Sequence, residues 1–317
     1  MISGLFRLLA PFALLLLAPH VHAAWTLVQT DVPVTAIHET GRYQAEAGQI
    51  FGLDDMVETP ANGGVQIQDA AGNSVALGHD TRVLLTRDAH IAILSGWVKV
   101  LHACDANKAN CTVPVIQTTR TTITPANNTA LVIAAAAAND EGADPQDADT
   151  DAVFCESGAA SLLGVNGLRG KASPVQLDMH RFATHLATSD TIAVTARPDP
   201  AFVTAMPVMF RDALLALPMP ANLRMDPPGN IRPVAYSDVS DWLRSGLTAR
   251  RAPSTRFTAR FRVRLSDPGF HRAIVQHIRD LPDWLPLVFP PPQHAVIRSR
   301  AIQTRSAYSY STGPDRP

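Results

Sequence analysis

Between Trp25 and Thr195 apolar residues recur at alternate positions in short runs. Among them are "GVQIQ", "SVALG", "RVLLT", "HIAILSG", "WVKVLHA", "TVPVIQT", "TALVIAA", "DAVFCES" and "TIAVTAR". Successive side chains of an extended chain point to opposite faces, so a period of two predicts strands with an apolar face rather than helices. Gly, Asn, Asp and Pro break the runs at roughly 8–12-residue intervals, the spacing of an all-β sandwich, barrel or roll. The stretch 139–152, "NDEGADPQDADTDA", interrupts them; it is acidic and reads as a solvated loop.

Near Arg197 the period changes. Asp199-Pro200 is an N-cap followed by proline at the first helical position. Phe202, Met206, Phe210, Leu214 and Leu217 follow at helical spacing, with Pro207 expected to kink or divide the segment. Ser237 and Asp238 are placed to cap a second helix carrying Val239, Trp242, Leu243 and Leu247. Phe257, Phe261 and Leu265 mark a third, and Asp267-Pro268 opens a fourth that buries Phe270, Ile274 and Ile278. The expected architecture is a mainly β N-terminal domain, a sandwich or roll of short strands over 24–196, followed by a small α-helical domain over 197–290. Residues 291–317 are polar and without period, and read as a disordered tail.

The first 23 residues set the compartment. Arg7 precedes an apolar run from Leu8 to Ala18, and Val21-His22-Ala23 offers a cleavage site, so 1–23 reads as a signal peptide. Its eleven apolar residues are too few to span a bilayer. The mature chain is expected in the periplasm with no transmembrane segment. Charge is unevenly divided: residues 24–200 hold 10 Lys/Arg against 20 Asp/Glu, and 201–317 hold 16 Arg against 8 Asp. The whole-chain value of −1 therefore conceals two oppositely charged halves.

Residues 48–100 carry Gly48, Val57 with Thr59, Val65 with Ile67, Asp69 with Gly72, Val75 with Leu77 and Gly78, and Gly96 with Val98 and Val100. This succession of a Gly-led strand, V-x-T, a turn, a strand ending in Leu-Gly and a Gly-x-Val-x-Val element resembles FecR-type domains, over about one sixth of the chain. Gln49 stands where that family often has Asp, and the turn is widened to Asp69-Ala70-Ala71-Gly72. The resemblance implies a β fold and a binding or signalling setting. FecR-like transmembrane regulators carry a cytoplasmic anti-sigma segment and a membrane span before the periplasmic region, whereas here a signal peptide stands first, so an anti-sigma role is not expected.

Few residues look chemical. Asp69 reads as a hairpin corner, since Asp and Gly supply the local hydrogen bonds and positive φ of a turn. Cys104 and Cys111, in "CDANKANC", are the expected disulfide in an oxidising compartment. Cys155 reads as a strand residue; as a nucleophile it would need a base such as His180 or His185. Ser157 lacks the preceding Gly of a nucleophile elbow, and His180/His185 and His271/His277 lack helical metal-pair spacing. No metal or cofactor site is expected. "GVNGLRG" is not set between a strand and a helix. The arginines from Arg244 to Arg264, with Arg256, Arg260 and Arg264 as the expected interaction residues, read either as a solvated face or as a docking surface for the acidic half or an anionic envelope component. Nucleic acid is not an expected partner. The function expected is non-catalytic binding or scaffolding in the envelope. The alternatives are an accessory of cell-surface signalling that binds a peptide or strand, and a periplasmic hydrolase using Cys155.

Overall fold

One strand organises the molecule. The sequence reads "HIAILSG" and "WVKVLHA" as two runs, but they form a single strand, β9 (Ile91–His102). It turns between two sheet layers at Gly96, where φ is +98° and an added Cβ would lie 2.5 Å from the Thr81 Cα. Only glycine fits that bend. The computed structural model describes residues 25–86, 90–103, 112–135, 150–165, 173–251 and 256–290.

The first layer contains, in spatial order, β4 (Ile50–Phe51), β1 (Trp25–Thr30), β6 (Val65–Asp69), β7 (Asn73–Leu77) and the C-terminal part of β9. It continues through β12 (Thr129–Ala135), β13 (Thr150–Ser157), β16 (Phe182–Leu186) and β17 (Ala193–Thr195). The second layer begins with β18 (Arg232–Pro233), β3 (Gly41–Ala45), β2 (Val34–His38), β5 (Asp55–Glu58), β8 (Arg82–Leu85) and the N-terminal part of β9. It ends with β10 (Ile116–Gln117), β11 (Thr121–Pro125), β14 (Ala159–Gly164) and β15 (Val175–Asp178). The described strand pairings are antiparallel except that of β9 with β10, and an isolated bridge between Gln49 and Arg224 is also parallel. The curled sheet encloses a core in which Trp25, Leu27, Ile67, Val75, Val83, Ile93, Val98, Leu131 and Val153 meet.

Asp69 sits at the β6–β7 corner as the sequence predicts. Its carboxylate accepts from the Asn73 backbone N–H at 2.8 Å and from Asn73 Nδ2 at 2.6 Å. Asn73 Oδ1 in turn lies 2.6 Å from His102 Nδ1. The corner is buried, with Asp69 1% exposed, and Asn73 satisfies the Asp69 carboxylate.

The C-terminal region supplies short helices: α1 (Pro200–Ala205), α2 (Tyr236–Arg244), α3 (Phe257–Phe261), α4 (Pro268–Gln276) and α5 (Leu285–Val288). Asp199 caps α1 by accepting from the Ala201 N–H at 2.7 Å, and Asp267 caps α4 through the Phe270 N–H at 2.9 Å. The second helix starts two residues earlier than Ser237 suggests: Ala235 is the N-cap, and Asp238 reaches back to its N–H at 2.7 Å. Pro207 ends the first helical pattern outright. Beyond a 3-10 turn at Val208–Phe210, residues up to 231 form neither helix nor strand. No helix among the described residues is long and apolar enough to cross a membrane.

These elements cover the outer faces of both layers. Trp242, Leu243, Phe257, Phe261, Phe270, Ile274 and Trp284 pack with Ile37, Met56, Leu84, Ala92 and Leu94 of the second layer. Phe202 and Phe210 pack with Ala76, Val132, Ala152 and Phe182 of the first. Strands β6 and β7 are accordingly buried at every position.

Candidate functional site

The residues singled out by sequence do not converge. Cys104 and Cys111 lie outside the described residues. Cys155 is a free thiol on β13, fully buried in the core between the layers. Burial pushes it up to about 11, with Asp178 and Glu156 adding to the effect, and Sγ lies 3.4 Å from the Ser157 carbonyl oxygen. His180 occupies a tight turn at φ 62°, where its backbone N–H donates to the Cys155 carbonyl at 2.7 Å. His185 is buried, with Nδ1 3.0 Å from the Thr121 hydroxyl and Nε2 donating to the Ser189 carbonyl at 3.1 Å. Asp151 joins this cluster through Thr118 and Thr121, and burial raises its carboxyl above the ordinary range. His271 is exposed, while His277 stacks on Tyr236. Among the described residues no three His, Cys, Asp or Glu side chains gather as a metal site.

The three arginines differ in environment. Arg256 is exposed. Arg260 spans two turns of the second layer: Nε donates to the Glu39 carbonyl at 2.6 Å, Nη2 to that of Ile37 at 3.1 Å, and Nη1 to that of Asp54. Glu39 and Asp54 hold positive φ, 49° and 65°, so the guanidinium fastens two tight corners. Beside them His38 Nδ1 meets the buried Asp55 carboxylate at 2.7 Å, a contact that raises the His38 pKa. Arg264 donates to the Val234 carbonyl at 3.0 Å and pairs with Asp267 at 3.2 Å.

A site that sequence reasoning missed lies on the outer face of the first layer. Gln66 and Gln68 project from β6 and Lys99 from β9, each less than 10% exposed. The Lys99 ammonium donates to the carbonyls of Phe210 and Asp212, both at 2.8 Å, and pairs with Glu156 at 2.7 Å. Its three protons are matched by three acceptors. Gln66 Nε2 donates to the Leu215 carbonyl at 2.7 Å, and Gln68 Oε1 accepts from the Leu217 N–H at 3.0 Å. At the sheet edge Gln49 extends this pattern, donating to the Arg224 carbonyl at 3.2 Å. Gly48, at φ +92°, lets the chain approach so closely that a Cβ there would lie 2.2 Å from the Asn222 carbonyl oxygen. The result is a polar cradle holding an irregular peptide segment by its main chain. The sequence signal was slight: one Lys and two Gln at strand positions that normally face water.

No family model matches the chain, and no curated protein matches it. Two crystal structures of a candidate anti-sigma factor from Parabacteroides distasonis, at 2.50 and 1.65 Å resolution, are similar to part of it. Each aligns at 15% identity and a TM-score of 0.36 over 47% of this chain. The matches cover 62% and 63% of those chains, so this protein spans less than two thirds of their length.

Proposed function

We propose that the protein is exported to the envelope and acts there by binding another polypeptide, without chemistry of its own. The observation that carries this reading is the cradle of Gln66, Gln68 and Lys99, which grips an irregular segment through main-chain atoms. The groups that could serve catalysis are instead closed on themselves: Cys155 is an unactivated core thiol, and His185 spends both ring nitrogens on structural contacts. The FecR-type pattern at 48–100 favours a setting in cell-surface signalling, with the protein as an accessory that holds a partner peptide. Arg256 and Arg262, both exposed, suit an anionic component of the envelope as an additional contact.

Photo-crosslinking in cells, followed by mass spectrometry of the captured species, tests the role. A polypeptide partner is expected, and the exported protein should begin at or near Ala24. Capture of lipid or glycan alone would overturn the peptide-binding reading, and recovery of the full-length chain in the inner membrane would overturn the export reading.

A further inference from the structure

We infer that the Lys99 face is a binding site for an irregular peptide segment carrying one aromatic side chain, and that residues 210–217 of the chain itself fill it as a built-in occupant. The inference rests on the binding role proposed above and names its site. Four main-chain atoms make the polar contacts: the carbonyls of Phe210, Asp212 and Leu215 and the N–H of Leu217. Every non-proline residue offers such atoms, so the cradle reads chain direction and spacing with little regard to sequence. One side chain is read as well. Phe210 is fully buried among Ala76, Val132, Phe182 and Phe202, whereas Leu215 is 67% exposed and Arg211, Asp212, Ala213 and Ala216 face solvent.

Two further features point to an exchangeable occupant. Beyond Phe210, which closes the 3-10 turn at Val208–Phe210, the segment forms no helix or strand and runs to Pro218 and Pro220, so lifting it away opens only that one turn. The contacts are also of the wrong kind for a permanent cover. Burying an ammonium carries a desolvation cost that an apolar side chain at position 99 would avoid, and a buried ion pair is weak evidence of stabilisation. A polar triad aimed at main-chain atoms fits the recognition of peptide. When the segment leaves, Lys99 keeps Glu156, which is itself 26% exposed, and the freed ammonium and amides return to water. The ligand is then defined by chemistry: an aromatic residue, carbonyls at that residue and two and five positions on, and an N–H seven positions on.

The test uses the purified protein and a fluorescein-labelled peptide of residues 207–218, read by fluorescence anisotropy. The unaltered protein should bind weakly, because the tethered segment competes. Phe210→Ala in the protein should tighten binding at least about ten-fold by emptying the pocket, and adding Lys99→Met should remove that gain. A peptide with Ala in place of the phenylalanine should bind at least about ten-fold more weakly. An independent measurement needs no variant: excess peptide should speed hydrogen exchange at the Leu217 amide of the unaltered protein about ten-fold. Equal binding to the unaltered and Phe210→Ala proteins, or an unchanged Leu217 amide at high peptide, would make the segment a fixed cover and overturn the inference. A partner captured in cells without peptide binding here would leave the binding role standing and remove only this site.

Discussion

Cys155 and His38 show how neighbours decide whether a titratable side chain is available. With its thiol pushed up to about 11 by burial, Cys155 is thiolate in only about one molecule in ten thousand at pH 7. The folded protein should therefore resist maleimide at Cys155 over hours at pH 7.5 and react after denaturation; mass spectrometry of the peptide containing it measures this directly. His38 is opposite in character. Its hydrogen bond to Asp55 outweighs partial burial and raises its pKa above 6.5. A base raised on folding contributes stability that is present below pH 6.5 and lost as pH climbs through the folded value. The side chain is 41% exposed, so solvent screens the pair and the effect on stability is small. The cleaner readout is the His38 ring resonance in NMR: its midpoint should lie above 6.5 and fall on Asp55→Asn substitution. Legibility at this scale follows contact distance along the chain. Asp69 could be assigned from its turn alone because its partner Asn73 is four residues away. Arg260 could not, since the carbonyls it holds lie more than 200 positions earlier.

Elements were legible where local chemistry fixes them. Alternation placed β6, β7, β12 and β13, and Asp-Pro pairs placed the starts of α1 and α4. The reading failed where a local pattern met a tertiary demand. Leu214 and Leu217 keep helical spacing after Phe210, yet Pro207 removes a helical donor, and Gln66, Gln68 and Lys99 of the sheet bond the backbone of Phe210, Asp212, Leu215 and Leu217 instead. The same competition hid the cradle, because outward polar residues on a strand look solvated until another segment covers them. Gly96 marks a different limit: a glycine between two apolar runs suggests a break, whereas here it keeps one strand continuous across two layers. Gly96→Ala should cost about 1–3 kcal/mol from the backbone conformation alone, and more from the contact with Thr81. Urea unfolding would show a lower midpoint; an unchanged one would mean that β9 can bend elsewhere.

For the whole molecule, the opposed charges of the two halves are a poor guide to what joins them. Arg42 pairs with Asp238 and Arg82 with Asp241, so here the acidic half supplies the cations and the basic half the anions. Arg224 with Glu46 runs the other way but is exposed. Exposed pairs of this kind contribute about 0–1 kcal/mol each. Arg260 is the exception because its charged guanidinium donates to three main-chain carbonyls at two tight turns, and Arg260→Gln should cost about 1.5–3 kcal/mol in urea unfolding. Arg256→Gln, at an exposed position, should change stability by less than about 0.5 kcal/mol.

The larger attachment is apolar. Ile37, Met56, Leu84, Ala92 and Leu94 form one wall of the cluster that contains Trp242, Phe257, Phe261 and Phe270. Phe202 and Phe210 cover a second apolar face on the other layer. A helical region whose core is completed by strands should not fold alone, even though the change of period near Arg197 marks where its sequence begins. Residues 197–290 produced in isolation should show little cooperative thermal unfolding, and residues 25–196 should bind a hydrophobic dye and associate through their uncovered faces. Mixing the two fragments should restore one cooperative transition. Because burial of apolar surface drives this union, its affinity should change little between 50 mM and 500 mM salt, whereas union through opposed charge would weaken steeply. A fragment 197–290 that unfolds cooperatively alone would show that the strands lend its helices no essential support.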